Sequence, residues 1–284
     1  MKKLDPNQAL ARRRVLFVVI DRPEDGPLPF HQSNLRGVRA AVAAHDPAYE
    51  VVPVTVADLA GQDIEENHRP LCIFSAGSFT EWFVYGVDAS FRSSLDAYMA
   101  FLRKTTIPVL AVCGSHQLVA IAFNGFGAVA HMTDAGPAVR ISDELALPKP
   151  RGLWPTPRVG EEGTYPVLAT QAGAFDPLVK AAGTAPLAAS HHKDMVVDTT
   201  GFTLLYTADE GRAPATLAGE QVKVRCRVQG VRLDDATRIL YATQFHPEMR
   251  AFDESTADDQ GFGARWIGAF LQAAERHWTP KKAV

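Results

Sequence analysis

Long apolar runs are missing from this sequence. No stretch of 18 or more apolar residues occurs in its 284 residues, so no segment reads as a membrane-spanning helix. Neither sign of charge dominates. The 29 basic residues stand against 32 acidic ones, a net charge of −3, which leaves no electrostatic footprint for nucleic acid or an anionic membrane surface. Cysteine is scarce. Cys72, Cys113 and Cys226 cannot all pair with one another, and their spacing matches neither a zinc site nor a disulfide framework. The simplest setting for them is a reducing cytoplasm, with no structural metal and no cofactor. Repeats and low-complexity segments are absent as well. Arg12, Arg13 and Arg14 precede the apolar run 15–20, but that run is too short for a secretory signal. Asp21-Arg22-Pro23 then ends it without a small-residue cleavage site. A first core strand is the better reading.

What is present is alternation. Short β-branched, apolar runs at 15–20, 51–56, 71–74 and 108–112 read as buried strands. Residues 34–44 read as a helix between the first two. Phe91, Leu95, Tyr98 and Leu102 fall on one face of another helix at three- and four-residue spacing. Strand–helix–strand alternation implies a mostly parallel central sheet with helices on both faces. Composition and length fit a single domain over 1–284. Within it, 132–163 reads as a surface insertion, because Pro137, Pro148, Pro150, Pro155 and Pro157 break every pattern there. Further strands are expected at 165–169, 195–197, 203–206, 222–231 and 239–243. A last helix carries Phe262, Trp266, Ile267, Phe270 and Leu271 as its apolar stripe.

The chemistry concentrates at two strand ends. In Pro108-Val-Leu-Ala-Val-Cys-Gly-Ser-His-Gln117 a buried strand stops at Cys113, flanked by the small residues Ala111 and Ser115, and a helix begins at once. Small-x-nucleophile-x-small is the pattern of a nucleophile elbow, whose sharp turn needs small neighbours. The helix N-terminus behind it favours a thiolate and offers the Gly114 N–H as an oxyanion donor. Taken by itself, the pattern fits a small buried thiol equally well. In Tyr241-Ala-Thr-Gln-Phe-His-Pro-Glu248 a second strand ends just before His246, and Pro247 fixes the backbone so that Glu248 can fold back to the imidazole. A thiol gains from such a base, and the base from an orienting carboxylate. In a parallel sheet the C-terminal strand ends share one edge, where sites assemble.

Together, Ala111-Val-Cys-Gly-Ser-His-Gln117 and Gln244-Phe-His-Pro-Glu248 resemble the two signatures of the class I, triad-type glutamine amidotransferases. Phe74-Ser-Ala-Gly-Ser78 is similar to that family's glycine-rich oxyanion loop, with Gly77 as the donor. His191-His-Lys-Asp194 resembles the segment that holds the amino-acid end of glutamine. The resemblance implies a flavodoxin-like α/β fold and a catalytic triad of Cys113, His246 and Glu248. It also implies a thioester intermediate, an oxyanion hole of Gly77 and Gly114, and substrate contacts from Gln117, His192 and Asp194. The substrate so implied is glutamine or a γ-glutamyl small molecule. Two positions depart from the family pattern: Ser115 and Lys193 stand where glycine is usual, Ser115 being expected beside the substrate channel. Three functions are therefore open. The chain is a glutaminase that passes ammonia to a separate synthetase chain, a stand-alone hydrolase of γ-glutamyl amides or peptides, or a non-catalytic binding module on the same fold.

Overall fold

Apolar runs this short bury themselves only by pairing side by side, and that pairing organises the molecule. The computed structural model describes residues 12–22, 29–133, 138–146, 160–208, 214–217, 220–223, 226–250 and 261–279. Its first half alternates as expected. β1 (Arg14–Val19) leads through α1 (Pro29–His45) to β2 (Glu50–Thr55), then through the short helices α2 (Val56–Leu59) and α3 (Ile64–His68) to β3 (Cys72–Ser75). Next come α4 (Trp82–Val87) and α5 (Ala89–Leu102), which lead to β4 (Val109–Val112) and α6 (Gly114–Asn124). α5 starts where the Asp88 carboxylate accepts the Phe91 N–H, and its predicted face of Phe91, Leu95, Tyr98 and Leu102 is buried.

The second half is strand-rich. β5 (Val129–His131), β6 (Val139–Arg140) and α7 (Ile141–Ala146) are followed by β7 (Glu161–Ala169), α8 (Pro177–Ala182), β8 (Leu187–His192) and β9 (Asp194–Val196). Then come β10 (Phe202–Ala208), β11 (Pro214–Leu217), β12 (Glu220–Lys223), β13 (Val228–Leu233), β14 (Leu240–Thr243), α9 (Pro247–Arg250) and α10 (Phe262–Trp278). The strand expected over 222–231 is two strands, β12 and β13. Between them Cys226 is buried and its thiol donates to the Val228 carbonyl at 3.4 Å.

Nine strands form one sheet in the order β2-β1-β3-β4-β14-β13-β10-β7-β8. β2 through β14 run parallel, and antiparallel pairing takes over from β14 to β8. β6, β5 and β9 make a second, three-stranded antiparallel sheet. β14 lies beside β4 with Thr243 opposite Val112, so the two chemistry-bearing segments emerge side by side at one sheet edge.

The stripe of α10 is buried, and Trp266 and Phe262 meet Phe245, Tyr206 and Tyr241 in an aromatic cluster with centroids 5.6–6.4 Å apart. Each such pair adds roughly 0.5–1.5 kcal/mol beyond area burial. The far end of α10 returns to the first strands: the Trp278 indole donates to the Leu71 carbonyl at 2.8 Å, and the Arg12 guanidinium stacks on its ring at 3.7 Å.

Within the segment read as an insertion, β6 and α7 are ordered elements, and Ile141 and Glu144 are buried. Pro137, Pro148, Pro150, Pro155 and Pro157 lie outside the described residues. No helix among the described residues is long and apolar enough to cross a membrane.

Candidate active site

Cys113 is the single residue between β4 and α6, and it turns the chain there at φ 52°, ψ −110°. Among the described residues only one other non-glycine, Arg69, has a positive φ. Such a conformation costs on the order of 1–3 kcal/mol and persists only where its surroundings enforce it. Here the Cys113 N–H donates to the Thr243 carbonyl at 2.7 Å, and the Gln117 N–H returns to the Cys113 carbonyl at 3.1 Å. The side chain ends up 5 % exposed. Cys72 is the contrasting thiol: it sits inside β3, fully buried, and burial followed by the Glu275 charge pushes its pKa up.

His246 and Glu248 are both buried, just beyond β14. The His246 Nδ1 lies 2.8 Å from Glu248 Oε1. A carboxylate only accepts, so Nδ1 carries the proton. The ring also pairs with the Cys113 sulfur. Burial alone pulls the imidazolium down, but the Glu248 charge and the Cys113 sulfur outweigh it and push the His246 pKa up to about 10. The backbone fixes this arrangement twice. His246 N–H donates to Ala189 of β8 at 2.8 Å, and α1 packs so tightly on α9 that a Cβ at Gly37 would sit 2.3 Å from the Glu248 carbonyl oxygen.

The two oxyanion candidates are brought together. A Cβ on Gly77 would lie 3.0 Å from His246 Cε1 and 3.3 Å from Cys113 Cβ, and one on Gly114 would lie 2.7 Å from the Ser78 nitrogen. Loop and elbow pack closely: a side chain at Gly114 would drive them apart, and one at Gly77 would crowd His246 and Cys113.

The substrate-segment residues arrive from the other side. The His191 carbonyl accepts from the Cys113 thiol at 3.5 Å. His192 is buried, with its Nδ1 donating to the Asp194 carbonyl at 3.2 Å. Burial and then the neighbouring His246 push the His192 pKa down to about 3, so it is neutral. The Asp194 carboxylate is held by His131 Nδ1, and the opposite ring nitrogen of His131 meets Glu144 of α7. Gln117 is buried with both ends of its carboxamide engaged: Trp82 Nε1 donates to its Oε1 at 3.0 Å, and its Nε2 donates to the Asp194 carbonyl at 2.9 Å. Lys193 is exposed at the turn between β8 and β9.

The Ser115 side chain, expected beside the substrate channel, is buried beneath the loop, with its Oγ 2.8 Å from Ser75 Oγ and donating to the Ala76 carbonyl at 2.5 Å. The small residue that the elbow needs therefore also braces the neighbouring loop. Sequence reasoning assigned no role to Gln244, whose Nε2 donates toward the Cys113 sulfur at 3.6 Å. Its place inside the Gln-Phe-His-Pro-Glu signature was the available signal. Asp21, His131 and Glu144 carried no such signal.

A strained cysteine elbow on a parallel sheet, with a carboxylate-backed histidine on the adjoining strand, fits what the comparisons show. Residues 37–257 match the family described as glutamine amidotransferase class-I, and the chain belongs to that family. Its fold is similar to a glutamine amidotransferase from Thermotoga maritima, at 11 % identity and TM-score 0.58 over 93 % of this chain and 99 % of that one. It is also similar to a Thermoplasma acidophilum protein described as a GMP synthase subunit (16 %, 0.56, 93 % and 94 %). A third similar structure is the glutaminase domain of Trypanosoma brucei CTPS with bound acivicin (17 %, 0.56, 92 % and 94 %). No curated protein matches the sequence.

Proposed function

We propose that the chain hydrolyses the side-chain amide of glutamine through a thioester on Cys113. The observation that carries this reading is the pairing of an elbow cysteine with a buried histidine whose other nitrogen is tied to Glu248. The thiolate sulfur adds to the amide carbon, and the oxyanion that forms is met by the Gly77 and Gly114 N–H groups. His246, charged at neutral pH, gives its proton to the departing nitrogen, so ammonia leaves and the thioester remains. A water then attacks, losing its proton to His246, and the carboxylic acid and the thiolate are regenerated. Asp194, oriented by His131, holds the substrate's amino group, with neutral His192 and Gln117 shaping the wall around it. No step needs a metal or cofactor.

With Ser115 turned under the loop, the elbow's departure from glycine leaves the glutamine side of the sulfur unobstructed. Ammonia released here serves a separate synthetase chain; the description of the Thermoplasma relative as one subunit of a synthase supports that arrangement. None of the three cysteines forms a disulfide, which supports a reducing, cytoplasmic setting. A second reading, hydrolysis of a larger γ-glutamyl amide, draws on Phe79. That ring is 39 % exposed and 6.1 Å from the His191 ring, an apolar wall that free glutamine would not cover.

The test is ammonia release from glutamine and glutamate release from γ-glutamyl peptides by wild type and Cys113→Ala, with labelling by a thiol-directed glutamine analogue. Turnover and labelling that vanish together in the variant support the reading. A wild type that neither turns over an amide nor takes the label refutes it. Glutamate release confined to γ-glutamyl peptides selects the second reading.

A further inference from the structure

An oxyanion donor works only if it is already in place when charge develops, so the loop that carries Gly77 has to be held. Two sets of contacts hold it. Beneath, Ser115 Oγ donates to the Ala76 carbonyl and meets Ser75 Oγ, which also receives the Tyr98 hydroxyl at 3.2 Å. Above, a single carboxylate does most of the holding. Asp21, just past the end of β1, accepts on Oδ1 from the Ser78 hydroxyl (2.6 Å), the Phe79 N–H (2.8 Å) and the Thr80 N–H (2.6 Å). Its Oδ2 lies 2.7 Å from His31 Nε2 of α1, and both side chains are almost fully buried.

Burying an ionised carboxylate is costly unless it is paired and hydrogen-bonded, and Asp21 is both. Burial opposes its charge, yet His31, Ser78 and Thr80 together hold its pKa below the ordinary aspartate value. None of its contacts is with Cys113, His246 or Glu248. The loop it grips runs directly from Gly77, whose Cβ position lies 3.3 Å from the nucleophile's own Cβ.

We propose that Asp21, oriented by His31, is a positioning residue that fixes the Gly77 N–H for the transition state and takes no part in binding the ground state. This rests on the reading of Gly77 as an oxyanion donor.

The test uses Asp21→Asn, which keeps the side-chain shape but removes the charge. Expected are a kcat about ten- to a hundredfold lower and a KM within about threefold, since a misplaced donor is lost mainly from the transition state. Alkylation of Cys113 by iodoacetamide, which develops no oxyanion, keeps its wild-type rate. Hydrogen exchange at the Phe79 and Thr80 amides speeds up by tenfold or more. His31→Leu reproduces these effects, and His31→Gln, which keeps a donor for Oδ2, recovers most of the lost rate; this pair decides the matter if Asp21→Asn does not fold. An unchanged kcat in an active background overturns the proposal, as does a loss shared equally by alkylation. Unchanged exchange at Phe79 and Thr80 overturns it whatever the turnover. A wild type inert toward every amide removes the reading of Gly77 itself, an outcome distinct from an inert variant beside an active parent.

Discussion

The two sheets hold the residues of the proposed site by different means. On the parallel side, Cys113 and His246 are set by the main chain: neighbouring strand ends, a strained turn, and hydrogen bonds from Cys113 to Thr243 and from His246 to Ala189. In the three-stranded antiparallel sheet, the Asp194 carboxylate of β9 is set by side chains. His131 holds it, and Glu144 holds His131 from a helix within the 132–163 segment. Main-chain placement survives most substitutions nearby, because the strands themselves enforce it. Side-chain placement is only as durable as each link. Under the proposed mechanism the reacting groups rest on the first support and the recognition carboxylate on the second, so the chemistry stays fixed while recognition can vary.

Mutations on the two sides should therefore separate. Cys113→Ala removes the bond-forming atom and should reduce amide turnover by about 10⁴-fold or more, read by ammonia release at saturating substrate. Glu248→Gln should lower kcat by roughly 10²–10⁴-fold with little change in KM, because the imidazolium loses its orienting charge. It should also alter the pH dependence of stability. The folded pKa of His246, about 10, lies above its ordinary 6.5. Its contribution to stability is thus complete below pH 6.5 and lost as pH rises toward 10. Melting temperatures of wild type should fall across that window, and those of Glu248→Gln should be flatter. Beside the small antiparallel sheet, Glu144→Gln should raise KM about three- to tenfold while kcat stays within twofold, since His131 then grips Asp194 less firmly. A kcat effect as large as that of Glu248→Gln would erase the distinction between the two sheets. Ser115→Gly should be the mildest, costing about 1 kcal/mol of stability through the lost hydroxyl contacts. A KM change with no loss of stability would instead put Ser115 back beside the substrate.

Much of the parallel half was legible because its signals are local. Runs such as that ending at Val112 are apolar throughout, and the face of Phe91, Leu95, Tyr98 and Leu102 repeats at helical spacing. The elbow and the Gln-Phe-His-Pro-Glu segment carry their chemistry within a few residues. β8 was not legible. Leu187-Ala-Ala-Ser-His-His192 has no β-branched residue, and its alternating burial arises only from pairing with β7. Asp21 and Glu144 were missed for a related reason. Each is one polar residue beside an apolar element, and its partners lie at Phe79 and His131, which no spacing rule connects to it. Gln117 shows what its motif does not carry: Trp82 Nε1 and the Asp194 carbonyl, both distant in sequence, engage its carboxamide.

The place of β14 has a consequence for how this protein comes into being. Among the described residues, 240–243 are the last strand in chain order, yet they lie mid-sheet, between β4 and β13. While the chain is still emerging from the ribosome, β4 has one open edge, a surface to which stray strands can add. The thiol at its tip has no base beside it until residue 246 is made. Closing that seam shields the edge and arms the cysteine in the same event, so a chain cut short before the seam lacks both protection against sticking and the means to react.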